Sequence, residues 1–168
     1  GSMTQEKAEG VLSQIKATPD YSQLTGCDLI IEAVFENREL KASVTKAAEA
    51  AMDQAGVFAS NTSTLPITGL AKASIRPEKF IGLHFFSPVD KMPLVEIIVG
   101  EKTSDETLAR GFDYVLQIGK TPIVVNDKRG FYTSRVFATY VMEGLAMVAE
   151  GVPGIGVKTA AELINTYG

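Results

Sequence analysis

A single cysteine, Cys27, leaves no partner for an internal disulfide, an absence that fits a reducing compartment. No apolar run approaches the roughly 20 residues that cross a bilayer, and no signal-peptide pattern opens the chain. The expected location is therefore the cytoplasm, with no membrane contact. Gly1-Ser2-Met3 reads as an expression remnant ahead of an original start and is set aside. A net charge of -4 gives no global pull toward nucleic acid, although one local basic spot could still hold a phosphate. One histidine and one cysteine, far apart in context, make no metal constellation. What is present is ordinary for a globular chain. Hydrophobic residues make up 45% and charged residues 21% of 168 positions, enough for one domain with or without a small appendage.

The pattern alternates strands and helices. Thr4 to Ile15 reads as a helix with Ala8, Val11, Leu12 and Ile15 on one face. Asp28 to Phe35 is apolar without alternation, as parallel strands tend to be. Arg38 to Gln54 is a helix rich in Ala, Lys and Glu, ended by Gly56. Further strands are expected at Val57–Asn61, Phe80–Phe86, Leu94–Val99 and Thr121–Asn126, with a short helix after Pro66. Thr103-Ser104-Asp105-Glu106 resembles a capping box that opens a helix to about Gly119. Beyond Gly130 the period is helical to the end. Such alternation implies a doubly wound α/β domain with a mostly parallel sheet over 1–130, followed by a helical segment over 131–168.

Two polar residues stand inside apolar strands. His84 lies in Phe80-Ile81-Gly82-Leu83-His84-Phe85-Phe86, where a core histidine with one backbone partner is an equal explanation. Glu96, in Leu94-Val95-Glu96-Ile97-Ile98, shifts the balance. An antiparallel pairing about a turn near Asp90 sets the two residues opposite each other. Burying them separately is costly, and pairing them offsets that cost. A carboxylate beside an imidazole fixes its tautomer and makes a base for work near neutral pH.

With these residues in view, the chain resembles the 3-hydroxyacyl-CoA dehydrogenases, most of all the alpha subunit of bacterial fatty-acid oxidation complexes. The likeness runs from about Lys7 to Pro153 and is carried by several separate motifs. They are Cys27-Asp28-Leu29-Ile30-Ile31-Glu32-Ala33-Val34-Phe35-Glu36-Asn37, Ser60-Asn61-Thr62-Ser63-Thr64, His84-Phe85-Phe86-Ser87-Pro88, Leu94-Val95-Glu96 and Arg129-Gly130-Phe131-Tyr132. The resemblance implies an NAD cofactor and an acyl-CoA substrate. It implies that His84 takes the proton of the 3-hydroxyl, that Glu96 orients His84, and that Ser63 hydrogen-bonds the reacting oxygen or the nicotinamide. It also implies that Glu36 and Lys41 line the NAD site. Taken without it, Ser63 is a helix cap, and Glu36 and Lys41 belong to a solvated first helical turn. Many relatives carry Asn where this chain has Ser87, near the cofactor, and Ser134, near the substrate. Serine still donates and accepts but reaches less far.

Before Asp28 there is no Gly-x-Gly-x-x-Gly turn to hold a pyrophosphate and no acidic ribose partner. The expected fold is thus an incomplete doubly wound (Rossmann-like) sheet lacking its first βαβ, followed by a helical hairpin. In the order 3-2-1-4-5-6 the missing strands are central. The strand 28–35 should then expose an apolar edge, and the expectation is a homo-oligomer through it or a rearranged sheet. Little or no activity, and no tight hold on NAD, is expected of these residues alone. The stretch from Gly151 to Asn165 resembles the helix-hairpin-helix of the 5′-nuclease domain of bacterial DNA polymerase I, so the chain reads as a chimera. Gly154, Gly156, Lys158 and Thr159 would there hold a DNA phosphate, weakly, unless they form only a tight glycine turn with Lys158 solvated. A recombined fold without activity is the remaining alternative.

Overall fold

The computed structural model describes residues 3–154. Five strands, β1 (Leu29–Glu32), β2 (Val57–Ser60), β3 (Phe80–Phe85), β4 (Leu94–Val99) and β5 (Thr121–Asn126), form one sheet in the order of the sequence. All neighbours are parallel except β3 and β4, which are antiparallel. The sheet is therefore mostly parallel. Its helices are α1 (Gln5–Leu12), α2 (Arg38–Ala51), α3 (Ile67–Leu70), α4 (Asp105–Gln117) and α5 (Thr133–Ala149).

Both faces of the sheet are covered, which is why the strands read as continuous apolar runs. Phe58, Phe80 and Ile98 pack with Ala48 and Met52 from the end of α2 and with Ile67 and Leu70 of α3. The other face buries Val57, Ala59, Ile81, Leu83, Val95 and Ile97 against Val115 of α4. Gly82 sits at a close approach of α3 and the sheet. A Cβ there would lie 2.8 Å from Ile67 Cδ1 and 2.8 Å from Ile98 Cβ, both on the same face, so Gly82→Ala pushes α3 away from the sheet. We expect a loss of about 1–3 kcal/mol, read from urea unfolding, and an unchanged midpoint would contradict this packing.

Several expected boundaries move for local reasons. The first helix stops at Leu12 rather than Ile15, and its apolar side, Val11, Leu12 and Ile15, is exposed, so packing does not prolong it. The strand expected over 28–35 is only Leu29–Glu32, because the Glu32 carboxylate turns to accept from Val34 N–H and the chain leaves the sheet. Helix α2 ends at Ala51, where Met52 is already extended. At α4 the cap is Ser104, whose hydroxyl accepts from Thr107 N–H. The expected capping box fails because Thr103 Oγ1 is occupied by Gly100 N–H and Phe80 O. Among the described residues β1 pairs only with β2, so its other edge is open. Phe35, just past it, is 87% exposed.

Candidate active site

The β3–β4 register places His84 directly opposite Glu96, as their symmetry about Asp90 predicted. Imidazole Nδ1 lies 2.7 Å from Glu96 Oε2, and Glu96 is fully buried. Three more donors converge on the same carboxylate. Oε1 accepts from Tyr132 N–H at 3.1 Å and Thr133 N–H at 2.8 Å, and Oε2 accepts from Thr133 Oγ1 at 2.9 Å. The two amides belong to the start of α5, whose preceding residue Tyr132 offers no side-chain cap. Glu96 therefore caps that helix from a distant strand, satisfying donors that a helix start leaves orphaned. Gly130 at φ 74° and Phe131 at φ 48° turn the chain back so that these amides meet Glu96. A left-handed phenylalanine is uncommon, and its burial at 3% exposure holds it there.

Burial pushes the Glu96 carboxyl upward, but the hydrogen bonds from His84 and Thr133, together with the charge on His84, hold it below its ordinary value of 4.5. Its folded-state value is thus depressed relative to the unfolded chain. The stability it confers is fully present above about pH 4.5 and is lost as pH falls through the folded value. Urea midpoints should accordingly fall more steeply below pH 4.5 in the wild type than in Glu96→Gln. Parallel acid limbs would contradict an ionised Glu96. Because an ionised carboxylate only accepts, Nδ1 carries the proton in the neutral ring, and Nε2 is left as its basic nitrogen.

His84 lines a cavity of about 570 Å³ with Ser63, Phe86, Ser87, Met92, Thr133, Ser134 and Phe137. Four of the residues singled out in the sequence, Ser63, His84, Ser87 and Ser134, thus share one wall. Ser134 Oγ also reaches Ser63 O at 3.4 Å. Ser63 does not cap α3, whose preceding residue is Pro66 without a side-chain bond. Glu36 joins the cavity through Ser63, accepting from Ser63 N–H at 2.6 Å and from Thr62 Oγ1 at 2.9 Å. Lys41 is not solvated. It is 1% exposed, and its ammonium donates to both Glu32 oxygens, at 2.9 and 3.0 Å, and to Val34 O at 3.2 Å. Glu36 lies 3.8 Å from the same nitrogen, and Ser60 Oγ donates to Glu32.

Sequence reasoning missed Glu32, Thr62, Tyr132 and Thr133. Glu32 carried a usable signal, being a carboxylate in an apolar strand just as Glu96 is. Thr133 carried none, because its place depends on the turn at Gly130. Of the tail residues assigned to a DNA phosphate, only Gly154 falls within the described residues; Gly156, Lys158 and Thr159 lie outside them.

A mostly parallel sheet covered by helices on both faces, with its polar cluster beyond the ends of β1 and β2, defines a Rossmann-like α/β domain of the nucleotide-binding kind. Residues 1–128 match the family model for the NAD binding domain of 3-hydroxyacyl-CoA dehydrogenase. The chain belongs to that family. It is 47% identical over 162 residues to the fatty acid oxidation complex subunit alpha of Idiomarina loihiensis, covering 96% of this chain and 23% of that protein. The corresponding subunit of Shewanella amazonensis is 45% identical over 149 residues, 89% of this chain and 21% of its own length. Among solved structures, (S)-3-hydroxybutyryl-CoA dehydrogenase from Ralstonia eutropha superposes with a TM-score of 0.83 at 38% identity, covering 89% of this chain and 53% of that one. A second, FadB2 of M. tuberculosis, gives 0.84 at 31% identity, with 89% and 53% covered. The chain therefore spans less than a quarter of these curated relatives. The Idiomarina match leaves too little of the chain outside it for 151–168 to stand apart, so the expected nuclease-like graft is not supported.

Proposed function

We propose that this chain is the proton-taking part of an NAD-dependent 3-hydroxyacyl-CoA dehydrogenase, which converts a 3-hydroxyacyl-CoA to the 3-oxoacyl-CoA in fatty-acid β-oxidation. The supporting observation is a histidine held by a buried carboxylate on the wall of an open cavity. His84 Nε2 takes the proton of the substrate's 3-hydroxyl as the carbonyl forms. Glu96 keeps Nδ1 protonated and stabilises the imidazolium that results. Ser63 and Ser134 line the same cavity and are available to hydrogen-bond the reacting oxygen.

The residues fit the reactive end of a dinucleotide: Ser63 and Ser87 supply hydroxyls beside His84, and the Glu36 carboxylate holds the Ser63 amide. A bound NAD would supply the hydride acceptor for this oxidation. Lys41 supports this end indirectly, fixing Glu36 and the turn after β1 from beneath. No Gly-x-Gly-x-x-Gly stretch occurs in these 168 residues to hold the pyrophosphate. Loss of that positioning makes little or no turnover by them alone the expected result.

The test uses the lone histidine as a reporter. NADH together with acetoacetyl-CoA at millimolar concentration should displace the His84 Hε1 proton resonance without appreciable NADH oxidation. An unmoved resonance would count against the site. Clear NADH oxidation would overturn the expected lack of turnover, and its survival in His84→Ala would count against His84 as the base. The open edge of β1 is proposed to take the same strand of a second copy, because it presents unpaired backbone groups. A monomer by light scattering, with the amides of 28–35 exchanging freely, would refute this.

A further inference from the structure

We propose that Thr133 is a positioning residue of the His84–Glu96 dyad: its hydroxyl takes the remaining lone pair on the carboxylate oxygen that faces the imidazole. The inference rests on reading that dyad as the proton-taking element. The four donors divide evenly, two amides on Oε1 and two side-chain groups, His84 Nδ1 and Thr133 Oγ1, on Oε2. The amides are fixed by the backbone turn at Gly130 and Phe131 and cannot be changed by a side chain. The hydroxyl is thus the one donor on Glu96, besides the histidine itself, that a substitution can remove while leaving the backbone amides in place.

Its effect follows from its position. A buried carboxylate oxygen that accepts too few hydrogen bonds keeps an unfilled lone pair, free to swing or to take up a proton. Thr133 closes both routes. It holds Oε2 at hydrogen-bond distance from Nδ1, and it favours the charged carboxylate over the neutral acid. No other charge substitutes for it among the described residues. Glu96 faces His84 from β3, Ile123 from β5, and only amides and this hydroxyl from the start of α5. Since Thr133 and Ser134 also line the cavity, the same contact ties the seating of α5 to the state of the dyad.

Thr133→Val keeps the shape and the backbone amide and removes only the hydroxyl, whereas Thr133→Ser keeps the hydroxyl and loses a methyl. Protonation of Glu96 is read as the acidic inflection in the Hε1 chemical shift of His84, which as the only histidine is unambiguous. The inflection should move up by about one pH unit in Thr133→Val and stay in place in Thr133→Ser. An inflection unmoved in Thr133→Val, or moved equally in Thr133→Ser, would overturn the proposal. Should the valine variant not fold, Thr133→Ala takes its place with the same two outcomes. The titration needs neither NAD nor acyl-CoA, so failure of the dehydrogenase reading and failure of this one are separable.

Discussion

Glu96→Ala is expected to cost about 3–5 kcal/mol of unfolding free energy, because it removes the acceptor of a buried pair and leaves the partner uncompensated. The loss is not confined to His84. Tyr132 N–H, Thr133 N–H and Thr133 Oγ1 lose the same acceptor, so α5 should detach from the sheet edge as the variant weakens. Amide exchange at Tyr132 and Thr133 would rise before the rest of the sheet opens. Glu96→Gln should lose less, since its carbonyl still accepts on one side while its NH₂ faces two donors. A loss below about 1 kcal/mol for Glu96→Ala would mean that the carboxylate does not organise the site.

Lys41→Met is expected to have an effect of similar size, about 3–5 kcal/mol, for the converse reason: it strands a carboxylate. Glu32 is 5% exposed, and its charge is answered by Lys41 and by the Ser60 hydroxyl. The Ser60 hydroxyl and Val34 N–H, both neutral donors, cannot alone offset a buried anion. Glu32→Leu combined with Lys41→Met should recover much of the loss, since an apolar pair of similar volume often equals a buried ion pair. Urea unfolding of the two single variants and the double variant closes this cycle. Additive losses would show that Lys41 and Glu32 act independently, against the geometry.

The two predictions concern clusters that differ in how far the sequence revealed them. The His84–Glu96 pair was legible because both residues interrupt apolar strands, and an antiparallel pairing centred on Asp90, assumed from the sequence, sets them opposite each other as the structure does. The strands themselves were legible from their apolar runs, and β4 and β5 match their expected limits. Strand and helix ends were less so. Where β1 stops is decided by Glu32 reaching for Lys41 and Val34, and where α4 starts is decided by Thr103 being held elsewhere. Lys41 itself looked like a surface lysine on an Ala- and Glu-rich helix. Its burial depends on a carboxylate from another element, which no local pattern discloses. Thr133 was hidden still further, behind a left-handed turn at Gly130 and Phe131.

Gly130→Ala tests that turn in isolation. Its φ of 74° and the 3.3 Å approach of a new Cβ to Arg135 Cγ predict a loss of about 1–2 kcal/mol, with the His84 resonance displaced as α5 is reseated. Unchanged stability would mean that the turn is not needed to present the amides to Glu96.

The claim on which the whole account turns is that an ionised Glu96 holds Nδ1 and leaves Nε2 as a base toward the cavity. Imidazole nitrogen-15 NMR of the single histidine measures this directly. In the neutral ring, Nδ1 should carry the proton and Nε2 should be bare. A ring protonated on Nε2 instead would contradict it.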